Sequence, residues 1–161
     1  MFGYGTNDGL TTWLSENGYA LPVAALSPAV LRQRGSTYID AIYGARFVGF
    51  PTGGIDQERA WPRTGATVFD QALASDLVPN RVVLASYQAA WMEAQDPGSL
   101  SVIVSEAERI KRMEAGSAKL EYFDGTAMPA VEAATQISSE IEGLLAPLLV
   151  PDFVEPSIMV I

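Results

Sequence analysis

The chain has 161 residues, of which 48% are hydrophobic, and this predicts a single folded domain with a substantial core. It contains no cysteine and no histidine, which excludes disulfides, thiolate nucleophiles, Cys/His zinc sites and histidine-based catalytic triads. Nineteen acidic groups against ten basic groups give a formal net charge of −9, which is poorly suited to tight binding of nucleic acid.

The charge is distributed unevenly along the chain. Residues 27–65 carry a net charge of +2, whereas residues 66–161 carry −9 and residues 1–26 carry −2. No apolar run approaches the roughly 20 residues needed to span a bilayer, and the first residues lack the basic start and apolar stretch of a secretory signal. We therefore expect no membrane partner, and the lack of cysteine suits a reducing cytoplasm.

Two helices are predicted in the first third of the chain. Capping side chains at residues 6–8 precede an apolar face formed by Leu10, Trp13 and Leu14, and the Asn17-Gly18 pair ends this helix. A second helix starts at Ser27-Pro28 and ends near Gly44. Its apolar stripe consists of Leu31, Gly35, Tyr38 and Ile42.

The glycine in this stripe predicts close approach of another helix, because it has no side chain at the contact. Three charged residues lie off the stripe, on a side that faces either solvent or a partner: Arg32, Arg34 and Asp40. A core-facing helix with ordinary surface arginines is the simpler interpretation.

A loop is predicted over residues 47–62, and its end is the most informative run in the sequence. Trp61 precedes Pro62, which disfavours helix and predicts an extended tryptophan, and Gly65 predicts a turn. Long loops in compact domains are usually functional or mobile. Two interpretations stay open: either Trp61 fills the edge of the core and Arg63 caps a helix carboxyl end, or the segment has a function of its own.

A third helix is predicted from the Asp76–Pro79 lead-in to about Ala94. It has two apolar stripes, which places it either at the centre of the core or at a subunit interface. The first stripe contains Val82, Ala85, Ala89 and Met92, and the second contains Val83, Tyr87, Ala90 and Trp91.

The last third of the chain predicts a hairpin at about residues 108–123, a helix over Val131–Leu145, and an extended arm over residues 150–161. The hairpin is either an exposed polar element or a contact with a neighbouring subunit. The arm ends on four apolar residues and docks either on a partner or on its own domain. Its candidates for docking on a partner are Phe153, Val154, Ile158, Met159, Val160 and Ile161.

These elements predict a mainly α fold: a small helical bundle over residues 1–149 with one β-hairpin, followed by the extended C-terminal arm. No pattern indicates catalysis, because no histidine activates a serine or threonine and the carboxylate pairs do not converge. A Mg²⁺ or Ca²⁺ site made of carboxylates alone is the one metal site that the composition leaves open. We expect no enzyme, no catalytic residue, no metal and no cofactor.

The run Ala60-Trp61-Pro62-Arg63-Thr64-Gly65 resembles a block found in small tailed-phage proteins, the head–tail connector or head-completion adaptors. Many of these carry the label DnaT-like single-stranded-DNA-binding protein. Three further segments match the pattern: residues 29–40 with Tyr43, residues 109–122 and residues 144–149. The motif residues carried over from this resemblance are Tyr38, Asp40, Trp61, Pro62, Arg63 and Gly65.

The resemblance implies a structural virion protein located in the neck and assembled in the host bacterial cytoplasm. It implies a homo-oligomeric ring of twelve copies that sits below the portal protein, meets neighbouring adaptor subunits, and contacts a downstream stopper or tail-completion protein. Genomic double-stranded DNA would pass through the channel without tight binding, because acidic walls repel phosphates. The third helix and the arm are the candidates for contacts between subunits, and the arm is the candidate for portal docking.

The alternative is a single-stranded nucleic-acid-binding accessory protein. Its support is the arginine-rich region 27–65, which also contains aromatic residues able to stack on bases. These are Tyr38, Tyr43, Phe47 and Trp61.

Overall fold

The computed structural model describes residues 2–100 and 138–150. The described part is mainly α, as predicted, with four α-helices: α1 (Asn7–Glu16), α2 (Pro28–Tyr43), α3 (Asn80–Gln95) and α4 (Ser139–Leu145). The predicted hairpin at 108–123, the start of the last predicted helix and residues 151–161 lie outside the described residues. The candidates for portal docking lie there too.

The first two helices begin and end close to the predicted residues. The Thr6 side chain accepts a hydrogen bond from Gly9 N at 2.9 Å and caps α1, and Gly18 has a φ of 72° just after the helix ends. Pro28 starts α2 as predicted, but Ser27 makes no side-chain capping bond. The proline's fixed φ is therefore the local feature that favours this helix start.

Gly35 is the point where α2 meets α3. A Cβ atom at Gly35 would lie 2.8 Å from Ala90 N and closer still to Ser86 O, so any side chain there would collide with the backbone of α3. The predicted close approach is confirmed. Ile39, which is fully buried, packs in the same core cluster as Val82 of α3.

Helix α3 lies at the centre of the described core and contacts α1, α2 and α4. Its sequence left open whether its two apolar stripes face the core or another subunit. The structure buries nine consecutive or near-consecutive positions of this helix within the domain: Val82, Ala85, Ser86, Tyr87, Gln88, Ala89, Ala90, Glu93 and Ala94. These side chains are covered by the protein itself and are not exposed to a neighbouring subunit.

The predicted loop at 47–62 contains regular structure that the sequence did not reveal. Strand β1 (Phe50–Pro51) pairs antiparallel with β2 (Arg63–Thr64), and a 3₁₀ turn covers Gly54–Asp56. Next comes a hairpin of β3 (Thr67–Val68) and β4 (Gln71–Ala72). Ladders two residues long have no alternating apolar pattern long enough to detect.

The chain after α4 returns to this β region. A 3₁₀ turn over Ala146–Leu148 follows α4, and Leu149 forms an antiparallel bridge with Phe47. Two backbone hydrogen bonds flank the bridge, from Val48 N to Leu148 O at 2.9 Å and from Val150 N to Arg46 O at 2.7 Å. The last described residue, Val150, therefore lies close to the end of α2. In residues 2–100 and 138–150, no helix combines the length and apolarity needed to cross a membrane.

Candidate functional site: the Trp61 motif and the hairpin beside it

Trp61 is a core residue. It is 1% exposed, and its ring meets the Phe47 ring edge-on with centroids 5.6 Å apart. The Trp61 backbone N donates to the Tyr4 hydroxyl at 3.1 Å, and the Trp61–Pro62 peptide bond is cis. The interpretation that Trp61 fills the core is confirmed. Its indole Nε1 has no hydrogen-bond partner among the described residues.

Arg63 holds together the backbone around the end of α2. Its guanidinium donates to five carbonyl oxygens, which belong to Gly44, Phe47, Val48, Gly49 and Ala60. The shortest of these bonds is 2.6 Å, to Gly49 O, and Arg63 is 5% exposed. Gly44 is the C-cap of α2, so the expected capping role is confirmed and extended to the following loop. Burial lowers the pKa of Arg63 from its usual value.

Asp40, another of the motif residues, forms an ion pair with Arg59 beside Trp61. Arg59 Nη1 lies 3.1 Å from Asp40 Oδ2, and the Tyr4 hydroxyl donates to Asp40 Oδ1 at 2.5 Å. The Arg59 guanidinium also lies 5.8 Å from the centroid of the Tyr4 ring. Burial, and then the Asp40 carboxylate, raise the pKa of Tyr4. Gly65 lies at the surface beyond this cluster and has a φ of 69°, as the predicted turn requires.

The remaining described arginines also bind the protein itself. Arg32 Nη1 donates to the carbonyls of residues 3–5, and Arg34 pairs with Glu93 at 2.5 Å. Arg46 lies 3.9 Å from a Glu142 oxygen, and Arg81 donates to Leu144 O at 3.5 Å. The predicted solvent-facing or partner-facing position is wrong for Arg32 and Asp40, which are engaged inside the domain. Arg34 keeps half of its side chain exposed.

The four aromatic residues proposed to stack on nucleic-acid bases are buried. Tyr38 is 5% exposed, Phe47 2%, Trp61 1% and Tyr43 0%. Burial, followed by the nearby Glu142 carboxylate, raises the pKa of both Tyr38 and Tyr43. None of these four rings can stack on a base without opening the core.

Two features of the surface region escaped the sequence-based prediction, and the first is only half-buried. Trp13, Tyr19 and Trp91 form a half-buried cluster in which the Tyr19 and Trp91 rings stack with centroids 4.6 Å apart. The second feature is the β3–β4 turn, where Phe69 is 77% exposed with a φ of 49° and Asp70 has a φ of 61°. A turn of this kind usually contains Asn-Gly, so the Phe-Asp pair gave no turn signal.

Negative groups dominate the described part of the chain, where six arginines stand against eleven carboxylates. Of the ten basic residues in the sequence, the remaining four lie between positions 109 and 119, outside the described residues. Among residues 2–100 and 138–150, no group of three or more carboxylates is placed to hold a metal ion.

The fold is a small, mainly α domain. Its best-defined motif, around Trp61, holds parts of the domain together. The profile of the family described as "Putative DnaT-like ssDNA binding protein" matches residues 3–159. The chain therefore belongs to this family. Neither the curated proteins nor the solved structures contain a significant match to it.

Proposed function

We propose that this protein is a head–tail adaptor of a tailed phage or prophage, which forms a ring below the portal and continues the DNA channel. The observation that carries the proposal is that every described arginine lies within hydrogen-bond or ion-pair distance of the protein's own carbonyls or carboxylates. The described surface is left with a surplus of negative charge. Such a surface repels phosphates, so that a duplex can slide past it without being held.

The Trp61 motif supports the proposal in a second way. Its residues tie the end of α2 to the following loop through Arg63 and to the amino-terminal segment through Tyr4 and Arg59. A motif with this role marks a fold and carries no ligand chemistry of its own. The resemblance to phage adaptors through this motif is then a resemblance of fold. A structural protein of a particle depends on its fold, so the motif fits the proposed role.

The proposed partners are the portal protein, neighbouring copies of this chain, a downstream stopper or tail-completion protein, and genomic DNA that passes without tight binding. The proposed location is the neck of the virion. A ring requires head-to-tail contacts between two different patches on each copy. No catalytic role is part of this proposal.

Co-purification with the portal protein of the same phage tests the proposal. The full chain should bind the portal, and negative-stain images of the complex should contain rings below it. Deletion of residues 151–161 should abolish this binding and leave the far-ultraviolet circular dichroism of the domain intact, because the apolar arm is the proposed docking segment. Equal portal binding by the truncated and full-length proteins would reject the arm as that segment.

A single-stranded nucleic-acid-binding accessory role is the second candidate, and it is consistent with the description of the family as DnaT-like ssDNA binding protein. The four basic residues available to it outside the described residues are Arg109, Lys111, Arg112 and Lys119. If all four contacted phosphates of a single strand, log affinity would fall with log salt with a slope of about −3.

Fluorescence anisotropy with a labelled oligonucleotide at several salt concentrations separates the two candidates. The adaptor proposal expects almost no binding near physiological ionic strength. Salt-sensitive binding that is lost when these four residues are replaced by alanine, and retained in an Arg81→Ala control, would favour the accessory role.

A further inference from the structure

A groove runs along the outer face of α2 and reaches the end of α3. Its volume is about 590 Å³, and its lining includes Val30, Arg34, Thr37, Ala41, Glu93 and Leu100. This space is larger than one aromatic side chain needs. The described residues that line the groove are thus partly apolar and include one cation, Arg34.

The cation in the groove is held in place with donors to spare. Arg34 Nη1 donates to Glu93 Oε1 at 2.5 Å, and the Glu93 carboxylate, only 2% exposed, also accepts from Gly98 N and Leu100 N. A guanidinium has five N–H donors. Within the described part of the chain, the acceptor to which Arg34 donates is the Glu93 carboxylate. The exposed half of Arg34 can therefore donate hydrogen bonds to a second carboxylate from another molecule.

The β3–β4 turn has the complementary chemistry. Phe69 and Asp70, which we call the hairpin tip, both have positive φ and form the two-residue loop between the strands. Positive φ is unfavourable for a bulky residue such as phenylalanine, and Phe69 is nevertheless 77% exposed. Within the described fold, Phe69 makes no contact with the core that would offset this strain. A strained aromatic residue held out from the surface suggests contact with another molecule.

We propose that the hairpin tip of one copy docks into the α2 groove of a second copy, with Phe69 in its apolar part and Asp70 facing Arg34. None of the residues lining the groove belongs to the hairpin, so the contact joins two different patches and repeats from copy to copy. The exposed carboxylate of Asp70 repels phosphates and makes nucleic acid a poor partner for the tip. The inference deepens the proposed ring and rests on that proposed function for its biological setting.

Two variants of the full-length protein test the contact. Phe69→Gly removes the knob and suits the positive φ, so the fold is retained. Ala41→Glu places a carboxylate in the groove, where it repels Asp70, at an exposed helical position. Ala29→Glu, on the same helix but outside the groove, is the matched control. Self-association is measured by sedimentation velocity over a concentration series.

We expect the wild type and Ala29→Glu to self-associate, and each of the other two variants to associate at least about tenfold more weakly, the loss typical of an interface anchor residue. A mixture of Phe69→Gly and Ala41→Glu should form 1:1 dimers and nothing larger. The first variant keeps an intact groove and the second an intact tip, so only one productive contact can form.

Three results would overturn the inference: a wild type that stays monomeric, single variants that associate like wild type, or a mixture that remains monomeric. Portal co-purification separates this failure from that of the proposed function. A monomeric wild type that binds the portal keeps the adaptor role and removes the contact. Self-association through tip and groove without portal binding keeps the contact and removes the adaptor role. Loss of portal binding alone in Phe69→Gly would assign the tip to the portal.

Discussion

The Trp61 motif and the β3–β4 hairpin are neighbours in the sequence and use aromatic side chains in opposite ways. Trp61 is 1% exposed and packs against Phe47, whereas Phe69 is 77% exposed. Each lies between two short paired strands, Trp61 between β1 and β2 and Phe69 between β3 and β4. The comparison teaches that a large aromatic residue outside helices and strands can have either of two roles. The groups around it decide whether it supports the core or is available to contact another molecule.

Backbone polar groups explain the difference. The turn after α2 leaves several carbonyls without helical partners, and Arg63 satisfies four of them while Trp61 excludes water from the same place. The hairpin has no such requirement, because its loop is two residues long and its two strands pair with each other. Its tip can therefore present a side chain to a partner at the cost of local backbone strain.

Replacement of Trp61 by alanine tests the supporting role and has the largest expected effect. We expect the free energy of unfolding to fall by about 3–5 kcal/mol, because a buried indole is replaced by a cavity. Urea unfolding followed by circular dichroism measures the change. Phe50→Ala is the control, since Phe50 lies in the adjacent strand β1 and is 75% exposed. Equal losses in the two variants would mean that Trp61 does not support the core.

The helices were predictable from sequence and the motif's environment was not. Thr6, Pro28 and the spacing of Leu31, Gly35 and Tyr38 are local signals, and α1, α2 and α3 follow them to within a residue or two. The partners of Arg63 lie 14 to 19 residues upstream in four of its five bonds, and the partners of the Tyr4 hydroxyl lie 36 and 57 residues away. No local pattern specifies such contacts.

The same limit explains the wrong expectation for the charged side of α2. Helical periodicity placed Arg32 and Asp40 off the apolar stripe, and that much is correct. The amino-terminal segment and Arg59, which cover this side, come from distant parts of the chain. The exposed tip was missed for a further reason, because its Phe-Asp turn contradicts the usual preference for Asn-Gly.

Arg63→Met should have the second-largest effect, a loss of about 2–3 kcal/mol in the free energy of unfolding. The substitution keeps much of the side-chain bulk and leaves buried carbonyls without donors. Arg81→Met is the control, because Arg81 is exposed and makes one bond of 3.5 Å. Chemical unfolding of both variants checks the prediction. A loss in the control as large as that in Arg63→Met would show that the five carbonyl bonds have no special weight.

Alkaline pH should have the third-largest effect, because it weakens the region around Trp61. The pKa of Tyr4 is raised in the folded protein above the ordinary value of about 10, so the folded state keeps the phenolic proton that the unfolded state loses. The contribution of Tyr4 is therefore fully present below about pH 10. Above that pH it falls by about 1.4 kcal/mol per pH unit. The raised pKa values of Tyr38 and Tyr43 act in the same direction.

Unfolding of Tyr4→Phe at a series of pH values isolates this contribution. The variant should be less stable than wild type near neutral pH, because the bonds to Asp40 and Trp61 are lost, and its stability should fall less steeply above pH 10. Parallel curves for the two proteins at high pH would rule out Tyr4 as a source of the slope.

Phe69→Gly should have the smallest effect and the opposite sign. Glycine removes the steric conflict at a φ of 49°, partly offset by its greater freedom in the unfolded chain, so we expect stabilisation of about 0.5–1 kcal/mol. Thermal unfolding measures the shift. If the variant is instead destabilised by an amount comparable to Trp61→Ala, Phe69 supports the fold, and the contrast between the two aromatics disappears. If it is stabilised, the wild-type chain retains an unfavourable residue at an exposed turn, which is the expected outcome when that side chain serves a contact with another molecule.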